Sequence, residues 1–116
     1  MSMRAELSPV DIVQGQLEAY NAQDLDAFCA FYSPDAVLAG YGGEPQTVGL
    51  EAIRARHAEL FAQFPQNRAE VLNRIAVGAT VIDHERVLRA PGGETFEVAP
   101  IYTLAGGRIA RVDFVK

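Results

Sequence analysis

The sequence predicts an α+β fold in which three N-terminal helices pack on one face of a bent, mostly antiparallel sheet. Two observations predict it. Segments with helical spacing fill the first half of the chain, Ser8 to Phe64, and four β-branched segments fill the second, Arg68 to Val115. The connections between those four are tight Gly or Pro turns, which favour antiparallel neighbours. A chain of 116 residues with 49% apolar side chains reads as one domain, 1–116 with its core within 9–115, able to bury a sizeable interior. A bent sheet closed by helices encloses a pocket, and a pocket is a lead to function.

Ser8-Pro9-Val10-Asp11 opens the first helix. Ser8 can cap it, Pro9 suits the first helical position, and Asp11 sits where the helix dipole favours an acid. Val13, Leu17 and Tyr20 form its apolar face. Asn21 to Asp24 breaks the pattern, and Asp24 caps a second helix with the stripe Leu25, Phe28, Cys29 and Tyr32, stopped by Ser33-Pro34. Ala36 to Tyr41 reads as a short strand, with Gly42-Gly43 and Pro45 as the turn after it. Gly49 precedes the third helix, whose stripe is Ile53, His57, Leu60, Phe61 and Phe64, and Pro65 ends it. Strands follow at Arg68–Val77, Thr80–Arg89, Glu94–Leu104 and Arg108–Val115, hinged at Gly78, Pro91-Gly92-Gly93 and Gly106-Gly107.

The formal net charge of −5 removes any electrostatic reason to bind nucleic acid or an anionic membrane. The single cysteine, Cys29, allows no intrachain disulfide and fits a reducing compartment, the cytoplasm. It lies on a helix stripe and reads as core. Met1 to Leu7 holds no apolar signal-peptide region, and no apolar run approaches the ~18 residues of a membrane helix. Phosphate-loop, dinucleotide, nucleophile-elbow and zinc-helix motifs are all absent, and His57 and His84 are too far apart to suggest a metal site. No cofactor is expected.

Four stretches carry a family resemblance. Tyr20 to Phe28 resembles the helix-break-helix opening of the nuclear transport factor 2-like superfamily, and Phe31-Tyr32-Ser33-Pro34-Asp35-Ala36-Val37 resembles its entry to the first strand. Gly49-Leu50-Glu51-Ala52-Ile53 resembles the start of its third helix, and Gly106 to Val112 its last hairpin and strand. Within the superfamily the chain is most similar to the small SnoaL-like, steroid-isomerase-like proteins. The resemblance implies a cone with an apolar pocket and a homodimer formed through the outer sheet face. It does not imply one function, because the superfamily hosts enzymes, ligand binders and interaction modules.

Ketosteroid isomerase, the best-known enzyme of this shape, needs an Asp base and an oxyanion hole of Tyr plus a protonated Asp. The resemblance places these on Gly40, on Gln16, and near Ala99 or Pro100. None matches, which speaks against steroid isomerisation by that mechanism.

Several polar groups sit on otherwise apolar elements. His57 lies on the stripe of the third helix and reads either as a hydrogen-bonded core residue or as an acid or base near neutral pH. The resemblance implies a polar cluster of Gln16, Tyr32 and His57 at the pocket floor. Asp83-His84-Glu85 is the densest titratable cluster. Strand alternation puts Asp83 and Glu85 on one face with Val81 and Val87, and His84 on the other with Ile82, Arg86 and Leu88. Pattern alone leaves both faces open; the resemblance turns Asp83 and Glu85 inward. Buried together, one carboxyl would have its pKa raised and could serve as a general acid or base; on a solvated face they would do neither. Tyr20, Asn73 and Tyr102 are further pocket candidates, Asn73 because it shares an apolar strand face with Val71, Ile75 and Val77. Val112 and Phe114 are expected to face in, and Arg111 and Asp113 out.

The leading expectation is a domain binding an apolar or aromatic small molecule. If catalytic, it would perform cofactor-free isomerisation, cyclisation, dehydration or hydrolysis, with Asp83, Glu85 and His57 moving protons. Gln16, Tyr20, Tyr32, Asn73, Tyr102 and Phe114 would shape the pocket. The alternative is a non-catalytic interaction module, its cone filled by Phe61, Phe64, Tyr102 and Phe114. A cavity above about 300 Å³ favours a ligand and a filled cone favours the module.

Overall fold

Ser8 and Asp11 close a reciprocal cap at the start of the first helix, α1 (Pro9–Asn21). The Asp11 N–H donates to Ser8 Oγ at 3.1 Å and the Ser8 N–H to Asp11 Oδ2 at 3.3 Å, an arrangement that contributes about 1 kcal/mol. The computed structural model describes residues 7–116; the reading of the leader region falls, apart from Leu7, outside them. Ile12, Val13, Gln16, Leu17 and Ala19 form the buried face of α1. Gln23 takes a left-handed φ of 60°, the chain turns, and Asp24 caps α2 (Leu25–Ala30) by accepting the Ala27 N–H at 3.1 Å.

The strand expected at Ala36 to Tyr41, between the second and third helices, is present but begins earlier and has a partner strand that was not expected. A β-hairpin, β1 (Tyr32–Gly40) and β2 (Pro45–Val48), stands between α2 and α3 (Leu50–Gln63). α2 ends at Ala30 rather than at Ser33-Pro34, so Tyr32 is the first residue of a strand and not the last of a helical stripe. Pro34 lies where the pairing of β1 with its neighbour shifts register between Tyr32 and Val37, a place that tolerates a residue without an N–H. Pro45 begins β2 instead of belonging to the turn.

The second half follows the sequence closely: β3 (Arg68–Val77), β4 (Thr80–Leu88), β5 (Thr95–Ala105) and β6 (Arg108–Val115). They form an antiparallel meander, and β1 joins its far edge parallel to β6, giving one six-stranded sheet in the order β2-β1-β6-β5-β4-β3. α1 lies against β3, β4 and β6, α3 against β1 and β2, and α2 packs between the two longer helices. Among the described residues no helix is long and apolar enough to cross a membrane.

The apolar interior falls into two clusters. The larger gathers Val13, Phe28, Tyr32, Ile53, Val81, Tyr102 and Val112 with their neighbours; the smaller joins Leu17, Ala69, Val87 and Val98. Cys29 is buried in the larger one as a free thiol, its pKa raised by burial. Members of both clusters line a cavity.

Candidate functional site

The cavity encloses about 120 Å³. Its deep wall is made by Gln16, Phe28, Tyr32, Glu85 and Tyr102, all buried, and it meets solvent beside the exposed Arg56, Phe96 and Lys116. The volume lies below the ~300 Å³ of a pocket for drug-sized ligands, yet the interior is not filled. Of the four aromatics expected to fill the cone, Tyr102 and Phe114 line the cavity.

β4 supplies the central carboxylates. Val81, Asp83, Glu85 and Val87 are all buried, while Ile82, His84 and Leu88 are half-buried and Arg86 is exposed. The face carrying Asp83 and Glu85 therefore points to the helices, and His84 pairs with Glu97 on the outer face. The two inward carboxylates have different surroundings. Asp83 is fully buried and receives both ends of a guanidinium fork, Arg74 Nε to Oδ1 at 2.6 Å and Arg74 Nη2 to Oδ2 at 2.9 Å. Arg74 Nη1 reaches on to Gln14 Oε1 at 2.9 Å. Asp83 thus has its charge matched and does not line the cavity, contrary to its expected place beside Glu85 as a proton carrier.

Glu85 does line it. Its side chain is buried, and Oε2 has no hydrogen-bond partner. Burial first, then the neighbouring charge of Asp83, pushes its carboxyl up to about 7, against the opposing pull of Arg74. Near neutral pH both protonation states are populated, the condition for a group that must take and return a proton.

Three side chains from three elements form a polar chain at the deep end. Tyr32 O–H donates to Gln16 Oε1 at 3.0 Å, and Gln16 Nε2 donates to Tyr102 Oη at 3.0 Å. Burial, and next the charge of Glu85, raises the pKa of both phenols, so both remain O–H donors. Tyr32 spends its hydrogen on Gln16. Tyr102 accepts from Gln16 and keeps its own hydrogen to give.

His57 lies outside this chain, which corrects the expected cluster of Gln16, Tyr32 and His57. Its Nδ1 is 2.8 Å from the Ile53 carbonyl of its own helix. A carbonyl only accepts, so Nδ1 carries the hydrogen and Nε2 of the neutral ring is left as an acceptor. Burial, outweighing that bond, lowers the pKa of His57, as do the charges of Arg56 and Arg89. Its ring centroid lies 4.4 Å from that of Phe28, with Tyr20 and Phe61 edge-on.

Asn73 is exposed and pairs across the ladder with His84 on the outer face. A register shift between Val71 and Asn73 reverses the parity that seemed to put them on one face. Tyr20 and Phe114 line the cavity as expected, and Gly40 brings no carboxylate to it.

The sequence reading missed Arg56, Arg89 and Phe96, which line the cavity, and Asn67, which is buried against Arg89. Arg89 Nη1 donates to Asn67 Oδ1 at 2.7 Å and Tyr20 Oη at 3.3 Å, and its guanidinium lies 5.0 Å from the Phe96 ring centroid and 6.0 Å from that of Phe64. The signal was available: Arg89 continues the alternation of residues 81, 83, 85 and 87.

Comparison with known proteins agrees with this architecture. The family description SnoaL-like domain matches residues 13–112. An uncharacterized cystatin-fold protein from Novosphingobium aromaticivorans is 34% identical, covers 95% of this chain and 99% of its own, and superposes with a TM-score of 0.88. A protein provisionally named a polyketide cyclase, from Sinorhizobium meliloti, is 26% identical over 97% of this chain and 99% of that one, with a TM-score of 0.77. A protein provisionally named a ketosteroid isomerase, from Kribbella flavida, shares the fold at 15% identity and a TM-score of 0.78, over 92% of this chain and 76% of that one. No curated protein matches the chain.

Proposed function

The chain belongs to the SnoaL-like domain family of the nuclear transport factor 2-like superfamily, and from that premise we propose that it binds a small ring compound in its cone and moves a proton on it through Glu85, without a cofactor. One observation carries this reading: a buried carboxyl with an unpartnered oxygen on the wall of a cavity. A buried polar atom with no partner costs about 1–3 kcal/mol. A ligand hydrogen bonded there recovers that cost. The 120 Å³ sets the size, since a cavity of about 150 Å³ takes one benzene ring.

In this reading the Glu85 carboxylate takes a proton from a carbon next to a carbonyl. Tyr102 donates its free hydrogen to the carbonyl oxygen as negative charge develops there. The Glu85 carboxyl then returns the proton to a second carbon, and the net change is an isomerisation. His57 Nε2 supplies a second acceptor on the wall. Four fused rings do not fit where one does, and Gly40 offers no base, so steroid isomerisation is not proposed.

The test is exchange. Cyclohexanone, 2-cyclohexenone and acetophenone are incubated with the protein in heavy water, and deuterium entry next to the carbonyl is followed by NMR. We expect protein-dependent exchange that Glu85→Gln lowers by about 100-fold or more. Equal rates in the two proteins, or no exchange above buffer, defeat the proposal.

A second reading concerns assembly. Ile75, Ile82 and Ile101 form a cross-strand row on the outer sheet face, with Ile75 59% and nearby Val77 72% exposed. We propose that this face pairs two copies of the chain. Sedimentation of the protein and of Ile75→Lys checks it, a monomer in both cases being the contrary result. We also place the chain in the cytoplasm, where the free Cys29 would stay reduced; finding a tagged chain outside the cytoplasm on fractionation would refute this.

A further inference from the structure

The arginines among the described residues divide into two sets. Arg54, Arg74, Arg86 and Arg111 each meet a carboxylate, on Asp26, Asp83, Glu70 and Asp113. Arg56 and Arg89 meet none within 4.0 Å among the described residues, and both line the cavity. Arg68 and Arg108 also lack a carboxylate, but they are exposed and away from it. Lys116 lines the same opening. A chain with a formal charge of −5 therefore presents cationic side chains at the entrance of its one-ring cavity, and among the described residues the only acidic side chain on the cavity wall is the deep Glu85.

Arg89 is held in a way that leaves a binding fork free. Nη1 is occupied by two neutral oxygens, Asn67 Oδ1 and Tyr20 Oη, and the Phe64 and Phe96 rings flank the guanidinium. Nε and Nη2 make no hydrogen bond to the described residues. That edge of a guanidinium matches the two oxygens of a carboxylate. Arg56, on α3, is tied among the described residues only to the neutral Thr47 Oγ1, at 3.1 Å. Burial lowers the pKa of His57, and the charges of Arg56 and Arg89 add to that effect. A buried negative charge at Glu85 disfavours a second one at the deep end. An anionic ligand thus has one sensible orientation, ring inward and charge outward.

We propose that the ligand is a one-ring carboxylate, its ring inside the cavity and its carboxylate on the Nε–Nη2 edge of Arg89, with Arg56 adding positive charge at the entrance. The proposal rests on the reading of the cavity as a ligand site and specifies the chemical class that site takes. It also orients the ligand: the ring atoms farthest from the carboxylate face Glu85 and Tyr102.

The test compares benzoate with benzamide, which has nearly the same shape and no charge. Dissociation constants are measured by ligand-observed NMR and calorimetry for the protein, Arg89→Gln and Arg89→Lys. We expect benzoate to bind at least 10-fold tighter than benzamide. Arg89→Gln should erase that preference. Arg89→Lys keeps the charge without the planar fork and should retain only part of it. If Arg89→Gln does not fold, Arg56→Gln is used, and it should narrow the preference several-fold. Equal binding of benzoate and benzamide overturns the anionic class and leaves the ligand site standing. A preference that survives both the Gln variants overturns the assignment to these arginines. Binding of neither compound at 10 mM, an order-of-magnitude ceiling for so small a ligand, defeats the reading of the cavity as a ligand site along with this one.

Discussion

Asp83 and Glu85 stand two residues apart on the same face of one strand, and the protein treats them in opposite ways. Asp83 is turned toward β3 and α1, where Arg74 satisfies both its oxygens. Glu85 is turned toward the cavity, where nothing satisfies Oε2. The first carboxylate is matched and serves the fold. The second is strained by its surroundings and is available for chemistry. Stability and reactivity should therefore separate between these two positions.

The largest effect is expected on the matched side. Arg74→Ala leaves the buried Asp83 side chain without its partner, and chemical denaturation should show a loss of about 3–5 kcal/mol. Asp83→Asn should also cost stability but preserve exchange activity per folded molecule. If Asp83→Asn abolished activity in a folded protein, the division between the two carboxylates would fail.

Glu85→Gln should behave in reverse, losing activity while gaining stability at high pH. The Glu85 carboxyl titrates at about 7 in the fold against an ordinary 4.5. The unfolded chain therefore releases its proton first as pH rises. Stability linked to Glu85 is full below 4.5 and is lost as pH climbs through about 7. The difference corresponds to about 3 kcal/mol, the most that Glu85→Gln can gain near pH 9, with no gain near pH 4.5. Thermal melts of both proteins across that range check the sign; a pH-independent gap would mean that Glu85 titrates normally.

Smaller effects bound the site. Gln16→Met deprives Tyr32 and Tyr102 of their shared partner and should cost about 1–3 kcal/mol in urea unfolding. Asn73→Ala, on the exposed outer face, should move stability by no more than about 0.5 kcal/mol and leave benzoate affinity unchanged. A larger loss at Asn73 would mean that the face opposite the cavity is covered in solution.

Much of the fold was legible because its signals are local. The meander could be read from β-branched runs and tight turns, and α1 from Ser8, Pro9 and Asp11. The hairpin β1–β2 was harder. Tyr32 also fits the helical spacing of Leu25, Phe28 and Cys29, and Pro34 looks like a terminator until the register shift around it is seen. The site divides in the same manner. Glu85 could be suspected from its neighbours, yet alternation alone could not choose the face of β4, because both faces are apolar at the ends and charged in the middle. The partnership of Arg74 with Asp83 was within reach. A two-residue turn at Gly78-Ala79 pairs Val77 with Thr80, and counting back along the hairpin brings residue 74 opposite residue 83. The same count still sets Asn73 opposite His84 and fails only from Val71 on, because the extra residue in β3 cannot be seen in composition.

The parallel pairing of β1 with β6 has a consequence for how the chain reaches this shape. The four strands of the meander meet across short turns, so their contacts close small loops. β1 instead waits for the last strand to be synthesised, with Tyr32 opposite Ile109 and Gly40 opposite Phe114. Contacts so distant in sequence form slowly, because loop closure must precede any gain from pairing. The meander should therefore be protected early, and β1, carrying β2 with it, should dock last. Pulsed hydrogen exchange during refolding would show β4 and β5 amides protected before those of β1, and the opposite order would count against this route. A nascent chain still short of Arg108 has no strand to receive β1. Its cone stays open on that side until β6 has been made.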